Sequence, residues 1–147
     1  MKKTFYLIVV LLVIAACNKG KKVIEETYPD GFPKIEKYYR GESANKEMVK
    51  EVRYYSNHLK ELEGNYKNNK RNGNWVYYYK NGNKWSEGSF VDGLDDGKRT
   101  VYFENGQKRY EGYYNKGNQF GIWRFWDENG RLLKEVDYDK NDTTVAK

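Results

Sequence analysis

The sequence has one cysteine, Cys17, and one histidine, His58, and each scarcity excludes chemistry. A lone cysteine builds neither a disulfide framework within the chain nor a multi-cysteine metal site. A lone histidine set in a turn argues against a nucleophile–histidine relay. No apolar run reaches the roughly 20 residues of a bilayer-crossing helix; the one from Phe5 to Ala16 stops after 12. Charge of one sign is not concentrated either. The net charge is +6 with Lys and Arg interspersed among Asp and Glu, which speaks against nucleic acid as a partner. Proline appears only at 29 and 33. After Cys17, aliphatic residues are scarce too: 17 Ile, Leu, Val and Met against 23 Phe, Trp and Tyr. An aromatic-rich, aliphatic-poor chain with 14 Gly suits thin sheets better than a thick helical core.

What is present begins with an address. Lys2 and Lys3 precede the apolar run, and Ile14-Ala15-Ala16-Cys17 closes it, so residues 1–16 read as a signal peptide. An aliphatic residue, two small ones and a cysteine resemble the lipobox of bacterial lipoproteins. That resemblance implies a diacylglyceryl thioether on Cys17, cleavage before it and acylation of the new amine. Several acyl chains on one residue exceed the single chain that binds a membrane only reversibly. The expected location is the bacterial cell envelope, lipid-anchored outside the cytoplasm in the outer or plasma membrane. The remaining 131 residues carry a formal charge of +4 once Lys2 and Lys3 are gone. Residues 17–27 read as the lipidated cysteine and a polar tether, 28–138 as a repeat domain, and 139–147 as a polar tail that frays.

The repeat domain says one phrase three times: Asn81-Gly82, Asn105-Gly106 and Asn129-Gly130, each 24 residues from the next. A degenerate copy precedes them, with Tyr54, Tyr55, Asn57, Glu63, Gly64 and Tyr66 in register. Asp30 to Tyr39 resembles the second half of a copy, and a charged insertion from Arg40 to Lys50 follows it. Asn-Gly between alternating aromatic runs predicts a β-hairpin with a type I′ turn. His58 stands where the degenerate copy needs glycine, and it tolerates the left-handed region better than a branched residue would.

With Asn81-Gly82 as a two-residue loop, Trp75 faces Gly88 and Phe90 faces Gly73; Gly97 meets Tyr114, and Gly121 meets Tyr138. An aromatic ring laid over a facing glycine is a packing device. Alternation then puts Trp75, Tyr77, Tyr79, Phe90, Trp123, Phe125 and Tyr138 on one face. The other face carries an aromatic ladder, Tyr54, Tyr78, Tyr102 and Trp126, and an acidic one, Glu36, Glu63, Glu87, Glu111 and Glu135. This parity requires a loop with an even number of residues. The glutamates are spaced near what a glycosidase pair needs, but five equivalent positions point to pairing with Lys or Arg. Asp92, Asp95 and Asp96 suggest calcium only until the matching loops, which lack acids, are compared; a turn is the better reading.

The unit carried by Gly73, Trp75, Tyr78, Tyr79, Asn81, Gly82, Lys84, Glu87, Gly88 and Phe90 resembles the MORN repeat. It is most similar to the bacterial variant found in the YwqK-like antitoxin family. The next copy has Gly97, Tyr102, Phe103, Asn105, Gly106, Lys108, Glu111, Gly112 and Tyr114, with Arg99 in place of the tryptophan. The last has Gly121, Trp123, Asn129, Gly130, Glu135 and Tyr138. The resemblance implies an all-β fold, a row of hairpins forming one open, elongated antiparallel sheet of about nine strands. It also implies a non-catalytic module that needs no cofactor or metal. Two functions compete. One is a scaffold that binds a protein partner, a toxin being the partner that the antitoxin family implies. The other is a binder of cell-wall glycan or phospholipid headgroup through Tyr54, Tyr78, Tyr102 and Trp126.

Overall fold

The computed structural model describes residues 20–41 and 46–145. The signal segment, Cys17 and positions 42–45 of the charged insertion lie outside the described residues. The strands are β1 (Lys21–Thr27), β2 (Pro33–Arg40), β3 (Glu47–Tyr54), β4 (Lys60–Lys67), β5 (Lys70–Tyr78) and β6 (Lys84–Val91). They continue as β7 (Leu94–Asp95), β8 (Gly97–Tyr102), β9 (Lys108–Asn115), β10 (Asn118–Trp126), β11 (Leu132–Asp137) and β12 (Asp142–Val145). All are antiparallel in one open sheet that follows chain order, with β7 off the path beside β6. The all-β row of hairpins is therefore as the sequence predicts.

The sheet is wider than expected. Among the described residues it has twelve strands rather than about nine, because Lys21–Thr27 pairs with β2, Asp142–Val145 pairs with β11, and β7 is split off from β8. The polar sequences of the two edge strands suggest a tether and a tail, since neither shows apolar alternation. An edge strand needs none, and charge along an edge discourages pairing with another chain. β7 and β8 form a single run broken at Asp96.

The turns correct a second expectation. Gly82 N–H donates to the Tyr79 carbonyl (2.9 Å) and Tyr79 N–H to the Asn83 carbonyl (2.8 Å). Gly82 alone of the loop has positive φ (89°). This is a three-residue loop, a type I turn closed by a left-handed residue, and not a two-residue type I′ turn. The same bonds recur at Gly31, His58, Gly106 and Gly130, and His58 takes φ 66° as the turn demands. Type I′ geometry is found at the opposite ends of the strands. There Asn68-Asn69, Asp92-Gly93 and Lys116-Gly117 have positive φ at both positions.

An odd loop inverts the faces unless something restores the register. A bulge does so: Tyr78 pairs with Lys84 but Tyr77 with Ser86, leaving Trp85 extra. Glu61, Arg109 and Leu133 are extra in the same way, each 24 residues on. The expected partners, Trp75 with Gly88 and Phe90 with Gly73, are thus found, and the two faces stand.

Packing over glycine is real but falls on different glycines. A Cβ added at Gly64 would lie inside the Trp75 ring, and one at Gly112 inside the Trp123 ring. Each tryptophan therefore covers the glycine of the preceding strand. Gly73, Gly97 and Gly121 are at positive φ and serve as kinks. Trp75 and Trp123 are 2% exposed, which a single-layer sheet achieves by ringing them with aromatics: Tyr66, Tyr77 and Phe90 around the first, Tyr110, Tyr114, Phe125 and Tyr138 around the second.

Candidate functional site

On the ladder face, each glutamate is neutralised and each tyrosine hydroxyl is used. Glu36, buried, accepts from Lys22 Nζ (2.9 Å), Tyr38 Oη (3.0 Å) and Tyr54 Oη (3.3 Å). Glu63 accepts from Lys50 and Lys60 (both 2.9 Å) and from Tyr78 Oη (3.2 Å). Glu87 takes Lys84 (2.7 Å) and Tyr102 Oη (2.5 Å). Glu111 lies against Lys108 (2.7 Å) and Lys98 (3.2 Å), and Glu135 against Arg124 (2.5 Å). Each hydroxyl thus bonds the glutamate of the copy before it. Trp126 has no hydroxyl, and Lys108 Nζ sits 5.6 Å from its ring centre instead.

The electrostatics follow from these contacts. Burial alone would raise the Glu63 carboxyl, but the bonds from Lys60 and Lys50 outweigh it and bring the pKa to about 2. Glu36 and Glu111 are lowered by the same contest between burial and lysine, while in Glu87 the Lys84 bond leads. Burial, with a carboxylate beside each hydroxyl, pushes Tyr54 and Tyr102 up to about 12. Tyr78 is raised by burial and Glu63. The ladder is a closed network holding neighbouring hairpins together. Tyr54, Tyr78, Tyr102 and Trp126 share one face as expected, half-buried.

The turns are also stapled forward. The amides of Asn57, Asn81 and Asn105 donate to the carbonyls of Lys80, Glu104 and Glu128, each 23 residues on. Their oxygens accept the N–H of Leu59, Asn83 and Gln107. In the first turn Asp30 takes the place of asparagine and meets His58 Nε2 at 2.7 Å. Asp92 lies in a type I′ turn, Asp95 pairs with Arg99, and Asp96 accepts from Lys116 N–H (3.2 Å).

What sequence reasoning passed over lies nearer the type I′ end of the ladder face. Val91, Leu94, Tyr113, Phe120 and Ile122 are 40–51% exposed. Val91 pairs with Leu94 and Tyr113 with Phe120, whose rings are 5.9 Å apart. Leu94 reaches the next turn at Gly117. The signal was in the repeat itself. The matching positions of the two sister copies are Lys67 and Asn115, Lys70 and Asn118, Asn65 and Ser89, Asn72 and Asp96, Asn74 and Lys98. All are polar.

Fold and ladders together define a class: an open, single-layer sheet of tandem hairpins locked copy to copy. Residues 71–92, 95–116 and 121–140 match the MORN repeat variant, so these three copies are similar to MORN-variant repeats. No curated protein matches the chain. Among solved structures, a mutant of S. aureus TarM crystallised with fondaparinux, alpha-GlcNAc-glycerol and UDP is 13% identical over 86% of this chain, at TM-score 0.39. A second structure of TarM is 16% identical over 86%, at 0.34. A Bacteroides fragilis protein of unknown function is 13% identical over 88% of this chain and 91% of its own, at 0.24. The chain spans 21% of the TarM chains. Likenesses this distant bear on neither ligand nor partner.

Proposed function

We propose that the protein is a membrane-anchored, non-enzymatic scaffold lipoprotein that holds a protein partner on its ladder face. The observation that supports this is the apolar group Val91, Leu94, Tyr113, Phe120 and Ile122. Ten equivalent positions in the sister copies are polar, so the fold does not require apolar side chains there. Exposed apolar groups that folding does not need commonly mark interaction surfaces, and aromatic residues dominate such contacts. The ladder of Tyr54, Tyr78, Tyr102 and Trp126 lies on the same face toward the other ends of the strands, with the glutamate row between.

The test exchanges repeat residues for one another. Tyr113→Ser, Phe120→Asn and Ile122→Asn install what the sister copies already carry, so the triple variant is expected to fold normally. Crosslinking in intact cells should capture a discrete partner with the native chain and lose it with the variant. Retained capture would sink the reading. The anchor has its own test: fatty-acid labelling should mark the native chain and not Cys17→Ser, and equal labelling of both would remove the membrane from the proposal.

A further inference from the structure

The face opposite the ladder is lined with large side chains in its middle row: Leu62, Tyr77, Tyr110 and Phe125, one per strand on β4, β5, β9 and β10. On β6 and β8 the row drops to Ser86 and Val101, which pair with each other and are buried. The gap is a slot of about 450 Å³. Its floor is Ser86 and Val101, its walls are Tyr77 and Tyr110, and Trp85 and Arg109 rim it. Three strand spacings separate the walls, about 14 Å at 4.8 Å each. Trp85 is a bulged residue, 46% exposed, with its ring 5.8 Å from that of Tyr77. A second cavity of about 520 Å³ shares Arg109 and Tyr110 and continues past Phe125 to Leu133 and Lys134. The two cavities adjoin at Arg109 and Tyr110 and form a row across the strands, a groove divided by the Tyr110 ring.

The groove is cationic. Among the described residues no Asp or Glu lines either cavity, whereas the opposite face carries five glutamates. Among the described residues neither Arg109 nor Lys134 has a carboxylate within ion-pair distance; Arg109 lies 5.7 Å from the Phe103 ring centre and Lys134 4.9 Å from that of Phe125. Arg99, also in the slot, is committed to Asp95. An occupant must therefore be an anion with flat apolar faces. An extended peptide binds a sheet by adding a strand at an edge, and this groove crosses mid-sheet, where the ladders on both sides are filled. A nucleic-acid strand tracks a groove through many phosphate contacts, and the two cations without a carboxylate partner among the described residues fall short of that. A chain of rigid rings with carboxylates fits both features.

We infer that the groove binds an acidic carbohydrate chain, uronate carboxylates meeting Arg109 and Lys134 and sugar rings stacking on Tyr77, Trp85 and Tyr110. This site lies on the opposite face from the proposed partner surface and does not depend on it. The test titrates the full chain with oligogalacturonate and with oligomannuronate, following tryptophan fluorescence. Saturable binding of at least one is expected, with Arg109→Ala and Lys134→Ala each weakening it tenfold or more. Ser86→Leu, which places in the slot the residue that Leu62 already is one copy earlier, should abolish binding while its circular-dichroism melt stays cooperative. Neutral cello-oligosaccharide, polyglutamate and oligothymidylate should each bind at least tenfold more weakly. Absence of saturable binding to both uronate chains, comparable binding of any of the three controls, or unchanged binding by Arg109→Ala overturns the inference.

Discussion

Two copies of the repeat place tryptophan over a glycine, and the one between them does not. Trp75 and Trp123 lie flat on Gly64 and Gly112, ringed by aromatics. At the same position Arg99 lies over Gly88, 5.3 Å from the Phe90 ring centre and 5.9 Å from that of Tyr114. Its guanidinium pairs with Asp95, but its Nε is buried with no hydrogen-bond partner among the described residues. A buried orphan donor costs on the order of 1–3 kcal/mol. The copy with the weakest core therefore supplies one side of the slot floor, Val101, against Ser86 of the copy before it. Relaxed packing and an open slot coincide.

That comparison breaks most visibly at the tryptophan. Trp123→Ala should cost about 3–5 kcal/mol in denaturant unfolding, the usual range for deleting a buried large aromatic, whereas Arg99→Ala should cost far less. Losses of equal size would mean that the two copies are packed alike. Next come the glycines. Gly112→Ala should cost up to about 3 kcal/mol, since overpacking is rarely free and the Trp123 ring already fills the site. At Gly88 the nearest atom to an added Cβ is the Arg99 Nε at 2.9 Å, the middle of a flexible chain, so Gly88→Ala should cost less.

The turns are the control, because the same loop closes every copy. Gly82→Val and Gly106→Val should each cost about 1–2 kcal/mol from holding a branched residue at positive φ, with no difference between them. A smaller effect sharpens the contrast in the other direction. Arg99→Trp removes the orphan donor and restores the tryptophan, so the thermal midpoint should rise by a few degrees; a fall would show that the Asp95 pair outweighs the packing.

The smallest effect lies on the ladder face, where neighbouring copies resemble one another. Glu63 has a lowered pKa in the folded chain, so its contribution is complete above the ordinary carboxylate range. It is lost as pH falls from about 4.5 toward 2. Glu63→Gln should flatten the acid limb of stability in that window and leave neutral-pH folding nearly unchanged beyond the lost ion pairs. An unaltered acid limb would show that other carboxylates dominate it.

The hairpins, their 24-residue register and both ladders were legible because alternation and repetition survive in the letters. The loop type was not. Asn-Gly suits a two-residue turn equally well, and only the bulge at Trp85, Arg109 and Leu133 decides, by a register shift that no single residue announces. The edge strands escaped notice because Lys21–Thr27 is charged for the very reason that it is an edge. Which glycine a tryptophan covers depends on ring direction, and strand pairing alone does not give it. The apolar group around Tyr113 and Phe120 was readable by comparing copies position by position, since only departures from the repeat distinguish what the fold needs from what it does not.

The forward staples at Asn57, Asn81 and Asn105 have a mechanical consequence. Because the strands follow chain order, tension between the two termini runs across the strands, along the hydrogen bonds, and opens one ladder at a time rather than shearing many at once. Each staple ties a turn only to the next, so it resists the peeling of its own copy and passes no load further. Pulled from its ends, the sheet should yield as a series of small, evenly spaced releases, each freeing roughly 40 Å of extended chain for one strand and its turn, half of a 24-residue copy, with the Arg99 copy giving way first.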